Sequence, residues 1–450
     1  MRPIAYDLVR LFLGPLFMTP RGIDRVDLAL ARHLFANADT PNLGILPTFW
    51  GIRAYRAPEV LRLLAHVEHV WEERAAIGDD PAQEAQLTRL LHAMCRDPVN
   101  RAAAGPVPSP FRARPNLKLR HKIVRMIQVL IATGMPAGRP ARPNVPQGSI
   151  YLNVGQLGLA VPRFFHWLDS RPDLTCALML HDVIPLEYPQ LCRPEQFDHH
   201  TNMVRTVARH ADCVIYTTAH ARDTSNVALA KHGGQPVPCL VRGLPLPAAF
   251  AQTATCVPAL AQNRYFVVVS TIEPRKNHQL LLRVWTLLIK HMGIAAPHLI
   301  IVGSRGFDGD RIMAPLERSP ILRKHVHEVA GLSSPALASL TLNAAAMLRP
   351  TMAEGFGMPV MEANAMGVPT IASDIAAHRE IANETTTLLP SDDETAWFQA
   401  IVQTPPAPLR RRPPIDPSMT EAAYCRDLIA YVQGVATDCQ PTPAAMAVPR

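Results

Sequence analysis

Long apolar runs are missing from this 450-residue chain: no stretch reaches the roughly 18 uncharged apolar residues that a membrane-spanning helix requires. The N-terminal run from Ile4 to Pro15 is interrupted by Asp7 and Arg10, and no small-residue cleavage site follows it. It reads as a first β-strand, Ile4–Phe12, rather than a targeting segment. Cysteine is sparse, with eight residues at 95, 176, 192, 213, 239, 256, 425 and 439. They form no CxxC pair and no regular spacing, which argues against a zinc site and a disulfide framework and for free thiols in a reducing cytoplasm. No G-x-G-x-x-G follows the early strand, which removes the dinucleotide-dependent oxidoreductases. Aromatic residues make up 6% and are not clustered with the cations to provide stacking platforms, which argues against nucleic acid as a partner.

What is present fits a soluble globular protein: 48% hydrophobic residues and a length sufficient for two domains with substantial cores. The formal net charge is +8, and part of it is concentrated. Arg112, Arg114, Lys118, Arg120, Lys122 and Arg125 are interleaved with Leu117, Leu119, Ile123, Val124 and Ile127. Such a segment is either a solvated helix face or a surface that lies on anionic lipid.

Two short motifs carry chemistry. In Glu354-Gly355-Phe356-Gly357-Met358-Pro359-Val360-Met361-Glu362, two carboxylates bracket a Gly-rich turn that opens a helix, with Pro359 suited to its first position. The amides of Phe356, Gly357 and Met358 then point out of the helix N-terminus, where anions and hydroxyl-rich ligands are favoured. Gly355 and Gly357 allow the backbone to approach a ligand closely. The second motif follows a strand-like run from Tyr265 to Thr271: Glu273-Pro274-Arg275-Lys276-Asn277, then a helical pattern from His278 to Ile289. An arginine fork and a lysine point charge at the carboxyl end of a strand suit a diphosphate. Leu299-Ile300-Ile301-Val302-Gly303-Ser304 is a further strand ending in a glycine turn, and His181-Asp182 ends a buried strand in the first half.

Strand-like and helical patterns alternate along the chain, which predicts doubly wound α/β architecture. Strands are expected at Ile4–Phe12, Ser149–Asn153, Thr175–His181 and Cys213–Thr217, then at 265–270, 299–302, 326–330, 346–350 and 369–373, with a helix over Asp24–Phe35. Residues 105–115 and 134–148 read as loops. The expected divisions are a first domain over 1–240, a hinge over 241–262, a second domain over 263–405, an amphipathic helix over 418–436 and a disordered tail over 440–450. Trp285 and Trp397 sit in helical patterns and are read as core. Asp308-Gly309-Asp310 has the D-x-D form that holds a cation in some transferases, but its place after the Gly303 turn reads as a solvated turn. His199-His200, and His325 with His327, lack further ligands, so no metal is expected.

EPRKN after a strand, and E-x7-E enclosing GFGMP, resemble the retaining family 4 nucleotide-sugar glycosyltransferases of GT-B fold. Thr19-Pro20-Arg21-Gly22-Ile23-Asp24-Arg25-Val26, Tyr151-Leu152-Asn153-Val154-Gly155 and His181-Asp182-Val183-Ile184-Pro185-Leu186 resemble landmarks of bacterial members that build surface polysaccharides and lipopolysaccharide. The resemblance implies two Rossmann-like domains facing a cleft, with the C-terminal helix crossing back to the first. It implies that Glu362 accepts from the ribose hydroxyls and that Glu354 contacts the transferred sugar, in donor positioning rather than as a nucleophile. It further implies that His181 touches the donor sugar or reacting centre. Arg275 and Lys276 complete the catalytic set, and Gly22, Gly303, Gly355, Phe356, Gly357 and Met358 join Glu362 around the donor. Arg25 reads either as a diphosphate contact or as an exposed helix residue, the latter preferred. Gln156 stands where many relatives carry His, so that landmark is given no role.

The implied activity is hexose transfer, mannose from GDP-mannose, to a saccharide acceptor that is lipid-linked. Neither cofactor nor metal is needed, and the protein is cytoplasmic and peripheral on the inner membrane face. A non-catalytic scaffold of the same fold and a sugar-nucleotide epimerase remain as alternatives.

Overall fold

The computed structural model describes residues 1–17, 22–36, 40–76, 119–135, 138–251, 260, 263–407 and 412–438. The expected loop at 105–115, the first half of the basic segment and the tail at 440–450 lie outside these residues.

Two sheets carry the chain. The first runs β1 (Ile4–Asp7), β2 (Leu43–Thr48), β3 (Gly51–Arg56), β4 (Arg139–Pro140), β5 (Ile150–Asn153), β6 (Thr175–Met179), β7 (Cys213–Tyr216) and β8 (Cys239–Val241), in the spatial order β4-β3-β2-β1-β5-β6-β7-β8. Only β3 runs against its neighbours in this sheet. The second contains β9 (Tyr265–Val269), β10 (His298–Val302), β11 (Val326–Val329), β12 (Ala346–Arg349), β13 (Thr370–Ser373) and β14 (Thr386–Leu389). Its order is β11-β10-β9-β12-β13-β14, and every pair is parallel. Parallel strands joined by helices are buried on both faces, hence the apolar runs of β6, β9 and β10. In the second sheet the strand order reverses between β9 and β12. Ligands of such sheets sit beyond the carboxyl ends of the strands at that switch.

Several expectations change in detail. The first strand stops at Asp7, and Val9–Phe17 is a helix. The Asp7 carboxylate accepts from the Val9 amide at 3.0 Å and from the Tyr151 hydroxyl at 2.7 Å, so a buried acid turns the chain where apolarity alone predicted extension. Residues 134–148 are not all loop: they hold β4 and a short helix, Ala141–Asn144. The β2–β3 hairpin and the edge strand β14 were not expected. Pro47 within β2 and the polar Thr386–Thr387 of β14 hide the alternating signal. The expected hinge starts at the last residue of β8 and includes a helical turn at Ala248–Ala251.

The C-terminal helix, Glu421–Asp438, crosses back onto the first half. Gln433 exchanges hydrogen bonds with the backbone of Arg2, both 2.9 Å, and Arg242 pairs with Asp427. One apolar cluster runs from the inner side of the first sheet to the second and includes Tyr6, Val26, Val267, Phe356 and Tyr424. Trp285 and Trp397 are fully buried against the second sheet, as expected. No helix among the described residues is long and apolar enough to cross a membrane. The described cysteines 176, 192, 239 and 425 form no disulfide.

Trp285 stacks edge-on against Phe266, and its indole N–H donates to the Pro297 carbonyl at 2.8 Å. Trp285→Ala removes that ring and leaves a carbonyl unpaired. A loss of about 3–5 kcal/mol is expected, read as a fall in the urea unfolding midpoint.

Candidate active site

The site grows from the ends of β9 and β12. After β9 the chain makes a tight turn at Pro274–Lys276, and Asn277 takes a left-handed backbone, φ 57°. That conformation is tolerated because the Asn277 amide donates to the carbonyls of Pro350 and Ser391, at 3.1 and 2.8 Å. Thr351 and Met352 both donate to the Arg275 carbonyl, at 3.0 and 2.8 Å. The two loops are thus stitched together. Gly357, φ 98°, then precedes the helix Met358–Ala365, with Pro359 at its second position rather than its first.

Within this frame Arg275, Lys276, Glu354 and Glu362 line one cavity of about 470 Å³. Lys276 Nζ lies 2.5 Å from Glu354 Oε1 and Arg275 Nη1 lies 3.4 Å from Oε2, while Arg275 Nε pairs with Glu273 at 2.8 Å. A third cation, Arg349 at the end of β12, also bonds Glu354 and donates to the Val269 carbonyl at 2.6 Å. The sequence reading missed Arg349. Its signal was an arginine closing the otherwise apolar buried strand AMLR.

Burial opposes ionisation of Glu354, yet Lys276, Arg349 and Arg275 together hold its carboxyl well below the usual carboxylate range. Lys276 is driven down to about 7 by burial and by repulsion from Arg275, against the pull of Glu354. Glu362, buried with only Arg25 and Arg349 as distant counter-charges, is pushed up to about 7. Three cations converge on Glu354, with Glu273 also pairing Arg275, and the amides of the Gly355–Met358 turn lie beside them, an arrangement suited to an anionic group.

The opposite wall comes from the first sheet. His181 follows β6 and is 4% exposed. Its Nε2–H donates to the Val154 carbonyl at 3.0 Å, which leaves Nδ1 a lone pair without a partner among the described residues. Burial pushes its pKa down to about 4, so it stays neutral. The YLNVG segment holds this wall. Tyr151 donates to Asp7, Gly155 O accepts from Arg10 at 2.9 Å, and Arg10 pairs with Asp24 at the start of the helix Gly22–Ala36.

The two walls meet at glycines. A Cβ on Gly355 would lie 2.7 Å from the His181 carbonyl oxygen, and one on Gly22 would strike the Met358 sulfur. Thr218 donates to the Gly355 carbonyl at 2.8 Å, and Glu380 accepts from the Ala219 and His220 amides at 2.7 and 2.8 Å. The ring of Phe356 packs against Gly243. Arg25, read as an exposed helix residue, instead donates to Ser334 of the second domain at 2.6 Å and lines the cavity. Gly303 is placed away from the cavity: a Cβ there would fall 1.9 Å from the Ser270 carbonyl oxygen, so its bareness serves strand packing.

Among the described residues no group of three or more His, Cys, Asp or Glu converges as metal ligands do. Asp310 pairs with Arg305 and Asp308 with Arg311. His327 bonds His298 at 3.0 Å.

Residues 263–404 match the family model described as Glycosyl transferases group 1. Over 219 residues the chain is 28% identical to the serotype-specific mannosyltransferase WbdA of Escherichia coli, covering 46% of this chain and 27% of that protein. It is 29% identical over 155 residues to the Escherichia coli O-antigen chain mannosyltransferase B, covering 33% of this chain and 40% of that one. The chain thus spans about a quarter of the length of the first relative. Among solved structures, the α,α-trehalose 6-phosphate synthase of Burkholderia multivorans superposes with TM-score 0.54 at 12% identity, over 98% of this chain and 100% of that one. An α,α-trehalose-phosphate synthase from Burkholderia vietnamiensis gives 0.54 at 10%, over 98% of each. These are likenesses of fold, and the fold is GT-B.

Because Gly355 abuts backbone of the other domain, Gly355→Ala is expected to hold the cleft open. A rise in radius of gyration by small-angle scattering, with little change in melting temperature, checks this.

Proposed function

We infer that this GT-B protein, whose second domain is of the group 1 glycosyltransferase type, is a glycosyltransferase moving a hexose from a nucleotide diphosphate sugar to a saccharide acceptor. One observation carries the reading: Arg275, Lys276 and Arg349 converge beside the amide-rich turn Gly355–Met358, at the strand-order switch of the second sheet. Charge that develops on a departing diphosphate meets preformed cations and amide dipoles there, at no cost of reorganisation.

The residue roles follow from the same geometry. Both oxygens of Glu354 are engaged, Oε1 by Lys276 and Arg349 and Oε2 by Arg275. An ionised, triply held carboxylate is a poor nucleophile, which favours orienting the donor over a covalent intermediate. The acceptor hydroxyl then adds to the anomeric carbon on the face the diphosphate leaves. The carbon–oxygen bond to phosphate breaks and the hydroxyl proton passes to the departing phosphate oxygen, with retention of configuration. The Nδ1 lone pair of His181 is free to accept from a sugar hydroxyl, and Glu362 suits the ribose. No metal is needed where three cations already face the phosphates. The mannosyltransferase relatives favour mannose, carried as GDP-mannose, and a surface polysaccharide as product; a lipid-linked acceptor at the inner membrane face is consistent with this.

Thermal shift with UDP-, GDP- and ADP-sugars tests the donor. GDP-mannose is expected to raise the melting temperature most; stabilisation by none of them would sink the reading. Lys276→Ala should lower the transfer rate about 10²–10³-fold while changing nucleoside affinity far less.

Donor affinity should also peak near pH 7. As pH rises through about 7 the Lys276 ammonium is lost and the diphosphate is held less tightly. As pH falls through about 7 the Glu362 carboxylate is protonated and its grip on ribose hydroxyls weakens. Titration calorimetry with the intact sugar nucleotide, whose diphosphate does not titrate in this range, should lose the alkaline limb in Lys276→Ala and the acid limb in Glu362→Gln.

A further inference from the structure

Phe49 and Trp50 form the tip of the β2–β3 hairpin and are 59% and 57% exposed. The tip is braced. Thr48 Oγ1 accepts from the Trp50 amide at 3.2 Å and donates to the Gly51 carbonyl at 2.9 Å. Arg53 Nη2 donates to the Trp50 carbonyl at 2.7 Å, and Gly51 takes φ 97°. Two adjacent large rings are therefore held outward on an ordered turn.

Position and charge say what they meet. β2 runs parallel to β1, β6 lies in the same parallel set, and so the tip projects from the sheet edge that carries His181 and Thr217. The acceptor side of the cleft and the tip thus face one way. Segments 48–56 and 138–144, which form this corner through the β3–β4 pairing, hold Arg53, Arg56, Arg139 and Arg142 and no acidic residue. A convex tip offers no groove to a peptide. The one side-chain amide in these segments, Asn144, is bonded to the Pro140 carbonyl and so is not offered to a saccharide. Glu59 accepts from the Arg56 amide at 2.7 Å, but four arginines keep the corner cationic, and a cationic corner poorly complements a second copy of itself.

We propose that the Phe49–Trp50 tip inserts among the headgroups of an anionic bilayer, with the neighbouring arginines over lipid phosphates. Aromatic rings with wet edges partition to that interface, and each nearby cation adds attraction that salt screens. The cleft mouth would then face the membrane, where a lipid-anchored saccharide presents its hydroxyls; only this purpose rests on the transferase reading.

The test is co-sedimentation of the full chain with sucrose-loaded vesicles of phosphatidylcholine containing about 30% phosphatidylglycerol. The wild type is expected to bind these, and to bind pure phosphatidylcholine, or either vesicle in about 0.5 M salt, far less. Phe49→Ser with Trp50→Ser should lower the partition coefficient about tenfold or more, with an unchanged circular dichroism spectrum. Phe197→Ser, altering an exposed ring elsewhere (44%), should not. A wild type that stays in the supernatant, a double variant that sediments like the wild type, or a lipid-free dimer lost in the double variant would each overturn the proposal. Donor hydrolysis without vesicles should be the same in both proteins; its absence from the wild type would count against the transferase reading alone.

Discussion

Three cations gathered on Glu354, two of them buried and the third, Arg275, shared with Glu273, impose the condition that the rest of this protein satisfies. Arg275, Lys276 and Arg349 repel one another where Lys276 and Arg349 are buried beside the cleft. Glu354 relieves only part of that repulsion. Such a cluster persists only where backbone holds it, and here the stitching of the two loops through Asn277, Thr351 and the Arg275 carbonyl supplies the restraint. On the proposed reading, an entering diphosphate supplies the missing negative charge. Binding energy and preorganisation for the proposed leaving group would then arise from one arrangement.

That arrangement needs a second wall, and the GT-B frame provides it by setting the carboxyl ends of two sheets against each other. At the cleft the contact is made by small residues and by carbonyls, while the two sheets also share one apolar cluster. Gly355 sits under the His181 carbonyl, Gly22 under Met358, and Glu380 accepts from the first amides of the helix Ala219–Lys231. A few directional hydrogen bonds across a glycine seam are easily broken and remade, as a cleft that must admit substrate and release product requires. The helix Glu421–Asp438 adds Tyr424, Leu428 and Val432 to the apolar cluster shared by the two sheets.

The same edge of the first sheet faces both the cleft and the aromatic hairpin. Elements whose side chains recur every second residue carry their chemistry at their ends, and parallel strands put all those ends on one side. A substrate approaching from a surface is served best by a fold that gathers its ligand-binding loops on that side.

The amino-acid order by itself determined what local chemistry can express. The α/β alternation, the EPRKN turn, and the E-x7-E motif around GFGMP were legible because each depends on neighbours in sequence: strand periodicity, helix N-termini and glycine turns. The buried tryptophans were legible for the same reason. Only the tertiary structure decided which distant groups share a site. Arg349 stands 74 residues from Arg275 in the numbering and meets it because β12 lies beside β9. Arg25 looked like a solvated helix residue until the second domain brought Ser334 to it. Gly303 looked like a ligand turn, but the close approach it permits is to the Ser270 carbonyl. Asp7 ended a strand that apolarity would have prolonged, because Tyr151 reaches it from β5. In each case the deciding partner is remote along the chain, and long-range electrostatics and steric exclusion leave no periodic trace in the residues they join.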